Sequence, residues 1–263
     1  MDRIKTQEFK IKVNGGYVYA KKWTPEKILF KLPIVLLHDS LGSTDLWRDF
    51  PKLLAKRLSR IVIAYDRLGF GKSDKRKNLP SLDFIEEEAL KYFPDIKSGL
   101  MISEYILTGH SVGGGMALNI ASGDKDCKAV VTIASQAFVE QLTVEGIKKT
   151  KNKFEKSGQM ERLEKWHGNK AKWVLDAWTE IWLSQKFSDW SLDGCIENVT
   201  CPVFAIHGED DEYGSSAFAE FIAGKAGGIS EKIIMKNCGH MPHREKTDEV
   251  INYLKNFLLK NSL

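Results

Sequence analysis

Ser111 stands in Gly109-His110-Ser111-Val112-Gly113, directly after the short apolar run Tyr105-Ile106-Leu107. A serine with a glycine two places to either side, at the end of a strand, suits a sharp strand-to-helix turn. Such a turn strains the backbone at its apex, leaves no room for side chains at the flanking positions, and lifts the hydroxyl clear of the sheet. The following helix would aim backbone N–H groups, Val112 first, at negative charge forming near the hydroxyl. The chemistry expected of such a serine is nucleophilic attack on a carbonyl carbon. It needs a base, an acid to orient the base, and a second backbone donor for the oxyanion. The pentapeptide alone is a weak signal, since a glycine-rich turn can carry an incidental serine.

The elements around it strengthen the reading. Phe9–Val13 alternates apolar and polar residues, and Tyr17–Ala20 follows across Asn14-Gly15-Gly16, as in a hairpin with a glycine turn. Ile34–Leu37, Ile61–Ala64, Tyr105–Leu107, Ala129–Ile133 and Val203–Ile206 are short continuous apolar runs, with Ile233–Met235 last. Runs of this kind suit buried parallel strands. Helical patterns separate them over 46–58, 82–96, 112–121 and 215–226, and Val250–Leu259 is a final amphipathic helix. Alternation of this sort predicts a mostly parallel, doubly wound α/β sheet with an N-terminal β-hairpin.

Residues 136–199 break the alternation. They contain no strand candidate and hold five of the seven tryptophans: Trp166, Trp173, Trp178, Trp182 and Trp190. Val174, Trp178, Ile181 and Trp182 form one apolar helix face. We expect an inserted helical cap over 136–199, on a core of 1–135 and 200–263, with Trp178 and Trp182 bordering the substrate. Most of the tryptophans would serve only to pack the cap.

Four further segments lie where strands should end, on one edge of the sheet: His38-Asp39-Ser40-Leu41-Gly42, Asp66-Arg67-Leu68-Gly69, His207-Gly208-Glu209-Asp210-Asp211 and Cys238-Gly239-His240. Together with the serine turn they resemble the α/β-hydrolase fold superfamily, in its capped serine-hydrolase group, over nearly the whole chain. The segments His38–Gly42, Leu46–Phe50 and Asp211–Ser215 are similar to small bacterial members of unspecified substrate. The resemblance implies Ser111 as nucleophile, His240 as base and Asp211, in Gly208-x-x-Asp211, as acid; Asp210 and Glu212 are the neighbouring carboxyl groups. It implies an oxyanion hole from the backbone N–H groups of Val112 and Ser40. Asp39 stands where the superfamily usually has glycine. Its carboxylate would oppose an oxyanion unless it turns away or is paired, with Arg67 the candidate partner.

Serine as nucleophile, rather than aspartate, sets the chain apart from dehalogenases and epoxide hydrolases. Ester hydrolysis of a small, largely apolar substrate through an acyl-enzyme is the expected activity, as in a carboxylesterase. Carbon–carbon hydrolysis of a dienone-type meta-cleavage product is the alternative, and a small-molecule receptor with an intact triad is the other. No cofactor or metal is expected: His240, His243 and Glu245 lack a further ligand group nearby in sequence. His38 and His207 are expected to bond backbone, and His110 to pack beneath the turn.

The chain has 263 residues, 43% hydrophobic, enough for one large α/β domain. Its net charge is +4, and its 39 basic and 35 acidic residues are scattered. The lysines of 148–156 suit a solvated helix face better than a nucleic-acid site. Four cysteines without a C-x-x-C pair fit thiols in a reducing cytosol. The N-terminus lacks the apolar core of a signal peptide, and no run approaches the ~20 apolar residues of a membrane span. A cytoplasmic protein acting on a small molecule, with no nucleic-acid or membrane partner, is expected.

Overall fold

A computed structural model describes residues 4–156 and 158–263. Eight strands form one sheet: β1 (Lys5–Val13), β2 (Gly16–Thr24), β3 (Ile34–Leu37), β4 (Val62–Tyr65), β5 (Tyr105–His110), β6 (Cys127–Ile133), β7 (Val203–Gly208) and β8 (Ser230–Met235). Their spatial order is β1-β2-β4-β3-β5-β6-β7-β8. β1 and β2 form the hairpin, β2 runs antiparallel to β4, and every later pairing is parallel. All the strands expected from sequence are present, and most extend further. Backbone pairing with a neighbour lengthens a strand beyond its apolar stretch.

The central strands bury both faces. Ile34 and Leu36 of β3 face one core, and Val35 and Leu37 face the other, as the two-residue strand period requires. On the first face pack α1 (Phe50–Leu58), through Phe50, Leu54 and Leu58, and the C-terminal helix α10 (Thr247–Lys260), through Val250, Leu254 and Phe257. On the second pack the short helices α2 (Phe84–Glu87) and α3 (Phe93–Gly99), then α4 (Val112–Gly123) and, after β7, α8 (Ala217–Lys225).

Two expected helices are broken. Over 46–58, a 3₁₀ turn at Thr44–Trp47 ends where Arg48 takes φ 55°, and α1 begins after it. Over 82–96, a π-helical turn at Glu88–Tyr92 separates α2 from α3. That turn buries Glu88, which accepts a 2.7 Å hydrogen bond from the Tyr65 hydroxyl at the end of β4. Apolar spacing does not register one extra residue in a helix that reaches a buried polar partner.

Between β6 and β7 the chain forms α5 (Gln141–Phe154), α6 (Gln159–His167) and α7 (Ala171–Trp182), then 3₁₀ turns. Its only β pairing among the described residues is the isolated bridge Phe138–Ser191. Val174 of α7 and Leu163 of α6 pack with Phe70 from the loop after β4. The junction also has buried polar links. His167 Nδ1 accepts from the Gly71 amide at 2.9 Å while its Nε2 donates to the Leu41 carbonyl at 3.0 Å. Lys170 Nζ donates to the carbonyls of Phe70 (3.2 Å), Gly71 (2.7 Å) and Ser73.

The strand order changes direction at β3 and β5. From β3 the chain crosses to β4 on one side and then to β5 on the other. The carboxyl ends of strands at such a switch point frame the crevice where open α/β sheets bind ligands. Ser40 follows β3 and Ser111 follows β5.

Candidate active site

Ser111 joins β5 to α4 with φ 54° and ψ −129°, a backbone conformation that L residues rarely adopt. The glycines around it are sterically required. A Cβ on Gly109 would overlap the backbone of Gly113 and Gly114, and a Cβ on Gly113 would overlap the carbonyls of Leu37 and His38. The second overlap matters for the site. Glycine at 113 brings the first turn of α4 against the end of β3, the strand that leads into the Ser40 loop. As the first residue of α4, Val112 has an amide with no acceptor inside the helix.

His240, between β8 and the short α9 (Pro242–Glu245), and Asp211, in the loop after β7, form a paired unit. His240 Nδ1 lies 2.9 Å from Asp211 Oδ1 and 2.8 Å from Oδ2. With Nδ1–H donating to the carboxylate, Nε2 is left as the basic nitrogen. Burial alone would lower His240. The Asp211 hydrogen bond and charge, with Asp39 and Glu212, outweigh burial and hold the imidazole above its ordinary value. Burial would also raise Asp211. His240, His207 and the Tyr213 amide at 2.8 Å hold it below the usual carboxylate range instead. The neighbouring carboxyls are placed otherwise: Asp210 and Glu212 are exposed, and the Asp210 amide bonds the Cys238 carbonyl. Among the three, Asp211 alone meets the imidazole.

Ser111, His240 and Ser40 line one cavity of about 230 Å³ together with Trp178 and Trp182 of α7. Asp211 and Val112 are buried and do not line it. Gln136, Thr143, Ile147, Glu212, Tyr213 and Met241 also line it, and sequence reasoning had not singled them out as site residues. Gln136 sits just past the end of β6, on the same sheet edge as the other site loops, and that position was the available signal. Its Oε1 accepts the Ser111 hydroxyl at 3.2 Å. Among the described residues no hydrogen bond joins Ser111 to His240. Tyr213 stands against the His240 ring at 4.8 Å and the Trp178 ring at 5.7 Å, and its hydroxyl is 2.6 Å from Thr150 Oγ1 on α5. The helices between β6 and β7 therefore touch the residues around His240 directly.

The other tryptophans of the segment do not line the cavity, although Trp190 packs edge-on against Trp182 at 5.6 Å. Trp166 lies under Arg48, Trp173 against Phe70, and Trp190 stacks on Phe187.

Asp39 differs from expectation. Its carboxylate does not pair with Arg67. Arg67 Nη2 donates instead to the Asp39 backbone carbonyl at 2.8 Å, and the Arg67 amide donates to His38 Nε2 at 3.1 Å. A Cβ at Gly42 would overlap Asp39 Oδ1, so the carboxylate folds over its own turn. Asp39 Oδ2 is 3.9 Å from His110 Nδ1, and Asp39 still lines the cavity. Backbone is the better partner for Arg67 because the guanidinium then braces the whole Ser40 loop. Asp66 assists by accepting from the Thr44 and Lys72 amides at 2.5 and 2.7 Å.

The remaining histidines are structural. His38 bonds Asp39 O and the Arg67 amide, and His207 Nε2 donates to Gly214 O at 3.0 Å. His110 Nε2 donates to the His240 carbonyl at 2.8 Å, and burial lowers its ring to about 4. His243 is buried among Trp47, Phe50 and His110. Glu245 accepts from the amides of Gly239 and Met241, which leaves this carboxylate engaged with backbone. Burial pushes the thiols of Cys195 and Cys238 up to about 12 and about 11, so neither offers a competing thiolate. Among the described residues no helix is long and apolar enough to cross a membrane.

Comparison with known proteins agrees with this architecture. Residues 33–157 match the family model described as alpha/beta hydrolase fold. The proline iminopeptidase of Lactobacillus acidophilus is 24% identical, over 88% of this chain and 91% of that protein. The meta-cleavage product hydrolase of Pseudomonas fluorescens IP01 superposes with a TM-score of 0.73 at 18% identity, covering 96% of this chain and 97% of its own. A thermophilic esterase from Thermogutta terrifontis gives 0.70 at 17% identity, covering 97% and 98%. With a serine turn at a sheet switch point, a late carboxylate–histidine pair and this strand order, the chain has the α/β-hydrolase fold.

Proposed function

We propose that the protein is a serine hydrolase acting on small esters, a carboxylesterase in type. Ser111 is the nucleophile, His240 the general base and then acid, and Asp211 the group that orients the imidazole. The carrying observation is the cavity that brings Ser111 and a His240 paired through Nδ1 to Asp211 onto one surface.

The Ser111 hydroxyl turns from Gln136 to His240 Nε2 and gives up its proton as Oγ bonds to the carbonyl carbon. The carbonyl oxygen becomes an oxyanion facing the Ser40 and Val112 amides. The proton on His240 goes to the leaving alkoxide, and an acyl-Ser111 remains. Water then repeats the sequence and frees the acid.

In this reading residues 136–199 act as a cap on a core of 1–135 and 200–263. Trp178 and Trp182 form its substrate-facing wall, and the apolar body of the substrate lies against them.

The test is a kinetic screen of p-nitrophenyl esters of graded acyl length beside a dienone-type substrate. Burst kinetics with short esters are expected. Turnover of the dienone alone would replace this reading by carbon–carbon hydrolysis, and acylation of Ser111 without turnover would replace it by a receptor role.

A further inference from the structure

The chain as a whole is basic, yet its cavity is not. Among the described residues no lysine or arginine lines it, and its ionisable side chains other than His240 and Tyr213 are Asp39 and Glu212. The two acids come from different elements. Asp39 belongs to the loop after β3 that carries Ser40, and Glu212 to the loop after β7 that carries Asp211. Two arginines feel Asp39, and both are engaged: Arg67 donates to the Asp39 carbonyl and lies 4.2 Å from the Phe70 ring, and Arg244 donates to the Leu46 carbonyl. Among the described residues Glu212 makes no ion pair, and the ion-pair contact of Asp39 is with His110, at 3.9 Å; the charges of Arg244 and Arg67 act on Asp39 from further off. Burial keeps that histidine neutral at ordinary pH.

Two acidic groups on the cavity wall set up a negative potential there, screened by water more at the exposed Glu212 than at the half-buried Asp39. The same cavity is walled by Trp178, Trp182 and Tyr213. Aromatic faces attract cations through the ring quadrupole, and quaternary ammonium groups above all, because their charge is spread over methyl groups that are cheap to dehydrate.

We propose that the substrate has an apolar body and a cationic ammonium group, the cation lying against the aromatic wall and facing Asp39 and Glu212. This rests on the reading of the cavity as a substrate site and narrows the substrate class. It disfavours anionic substrates, the carboxylate-bearing ring-cleavage products among them. Asp39 thus has a use at a position where its charge would otherwise only oppose the oxyanion.

The test compares ligands of one shape and different charge. Choline, 3,3-dimethylbutan-1-ol and 3,3-dimethylbutanoate are titrated into the full-length protein, with binding followed by tryptophan fluorescence and calorimetry. Choline is expected to bind at least about tenfold more tightly than the neutral alcohol, and the anion most weakly. The choline advantage should shrink about fivefold or more in Glu212→Gln and further in Asp39→Asn with Glu212→Gln. It should also fall as salt rises. Equal binding of choline and the alcohol, tighter binding of the anion, or an advantage untouched by both substitutions would overturn the proposal. None of these readouts requires turnover. Failure of the hydrolase reading would show separately, as absence of covalent labelling at Ser111.

Discussion

The hydroxyl of Ser111 bonds Gln136 Oε1 at 3.2 Å and not the imidazole of His240. The proposed nucleophile rests in a rotamer that must change before attack. A neutral hydrogen bond of this kind contributes about 1 kcal/mol net. Gln136→Leu removes the competing acceptor with little change in volume. We expect its rate constant for acylation by a small fluorophosphonate to rise up to about fivefold, measured by stopped-flow labelling. A large fall would mean that Gln136 assists the reaction.

Asp211 and Asp210 are adjacent in sequence and differ in position: Asp211 meets both its partners in the protein interior, and Asp210 is exposed. Asp211→Asn should lower turnover by orders of magnitude, up to ~10⁴ if the serine-protease precedent transfers. Asp210→Asn should change it less than threefold. Steady-state kinetics on one short ester decide this, and a reversal of the two effects would move the acid to Asp210.

The site should respond to pH through His240. Its folded-state pKa is raised, and the base must be neutral to accept a proton, so kcat/KM should rise through an apparent pKa above 6.5. Asp39 and Glu212 both contribute to the raised value, so Glu212→Gln should move this limb to lower pH. A pH–rate profile that does not move in the variant would remove Glu212 from the electrostatics of the base.

Stability should respond to pH through a different histidine. Burial lowers His167 to about 4, and its Nδ1 must stay unprotonated to accept the Gly71 amide. The unfolded chain, with histidine near 6.5, binds more protons over this range. The contribution is present above about pH 6.5 and is lost as pH falls toward 4. His110, also lowered to about 4, acts in the same direction. His240 has the opposite sign, its contribution fading as pH rises through its folded value. Thermal melts should therefore show Tm falling between pH 6.5 and 4, with a smaller fall in His167→Gln from a lower starting Tm. An identical fall in the variant would assign the loss elsewhere.

Much of this was legible in the sequence, for identifiable reasons. The central strands could be read because they are buried on both faces, so Ile34–Leu37 or Val203–Ile206 leave uninterrupted apolar runs, and the edge hairpin could be read from its alternation across Asn14-Gly15-Gly16. The serine turn could be read because its geometry excludes side chains at 109 and 113, a constraint that composition records. What escaped was set by long-range partners. The π-helical turn depends on Glu88 reaching Tyr65, and the placing of Arg67 depends on which oxygen of Asp39 faces it. Gln136 meets Ser111 only because β5 and β6 are neighbours in the sheet. Tyr213 meets Trp178 only because the inserted helices fold back over the loop after β7. No local pattern encodes these meetings.

The proposed oxyanion donors are backbone groups, which predicts an asymmetry at Ser40. Ser40→Ala keeps the amide and should retain most activity. Ser40→Pro deletes it and should cost about 3–4 kcal/mol of transition-state stabilisation, the scale of losing one donor in such sites. A tetrahedral phosphonate adduct on Ser111 checks the geometry independently of folding: its oxygen should lie within hydrogen-bond reach of the Ser40 and Val112 amides. An oxygen outside that reach would place the second donor elsewhere.

The central claim is that Ser111 is an activated nucleophile. It is tested most directly by treating the protein and its Ser111→Ala variant with a fluorophosphonate probe and mapping the labelled residue by peptide mass spectrometry. We predict a single adduct on Ser111 in the native chain, its loss in Ser111→Ala, and a variant that melts at nearly the same temperature. Labelling that persists in the variant, or a native chain that resists the probe while binding its ligands, would contradict the account.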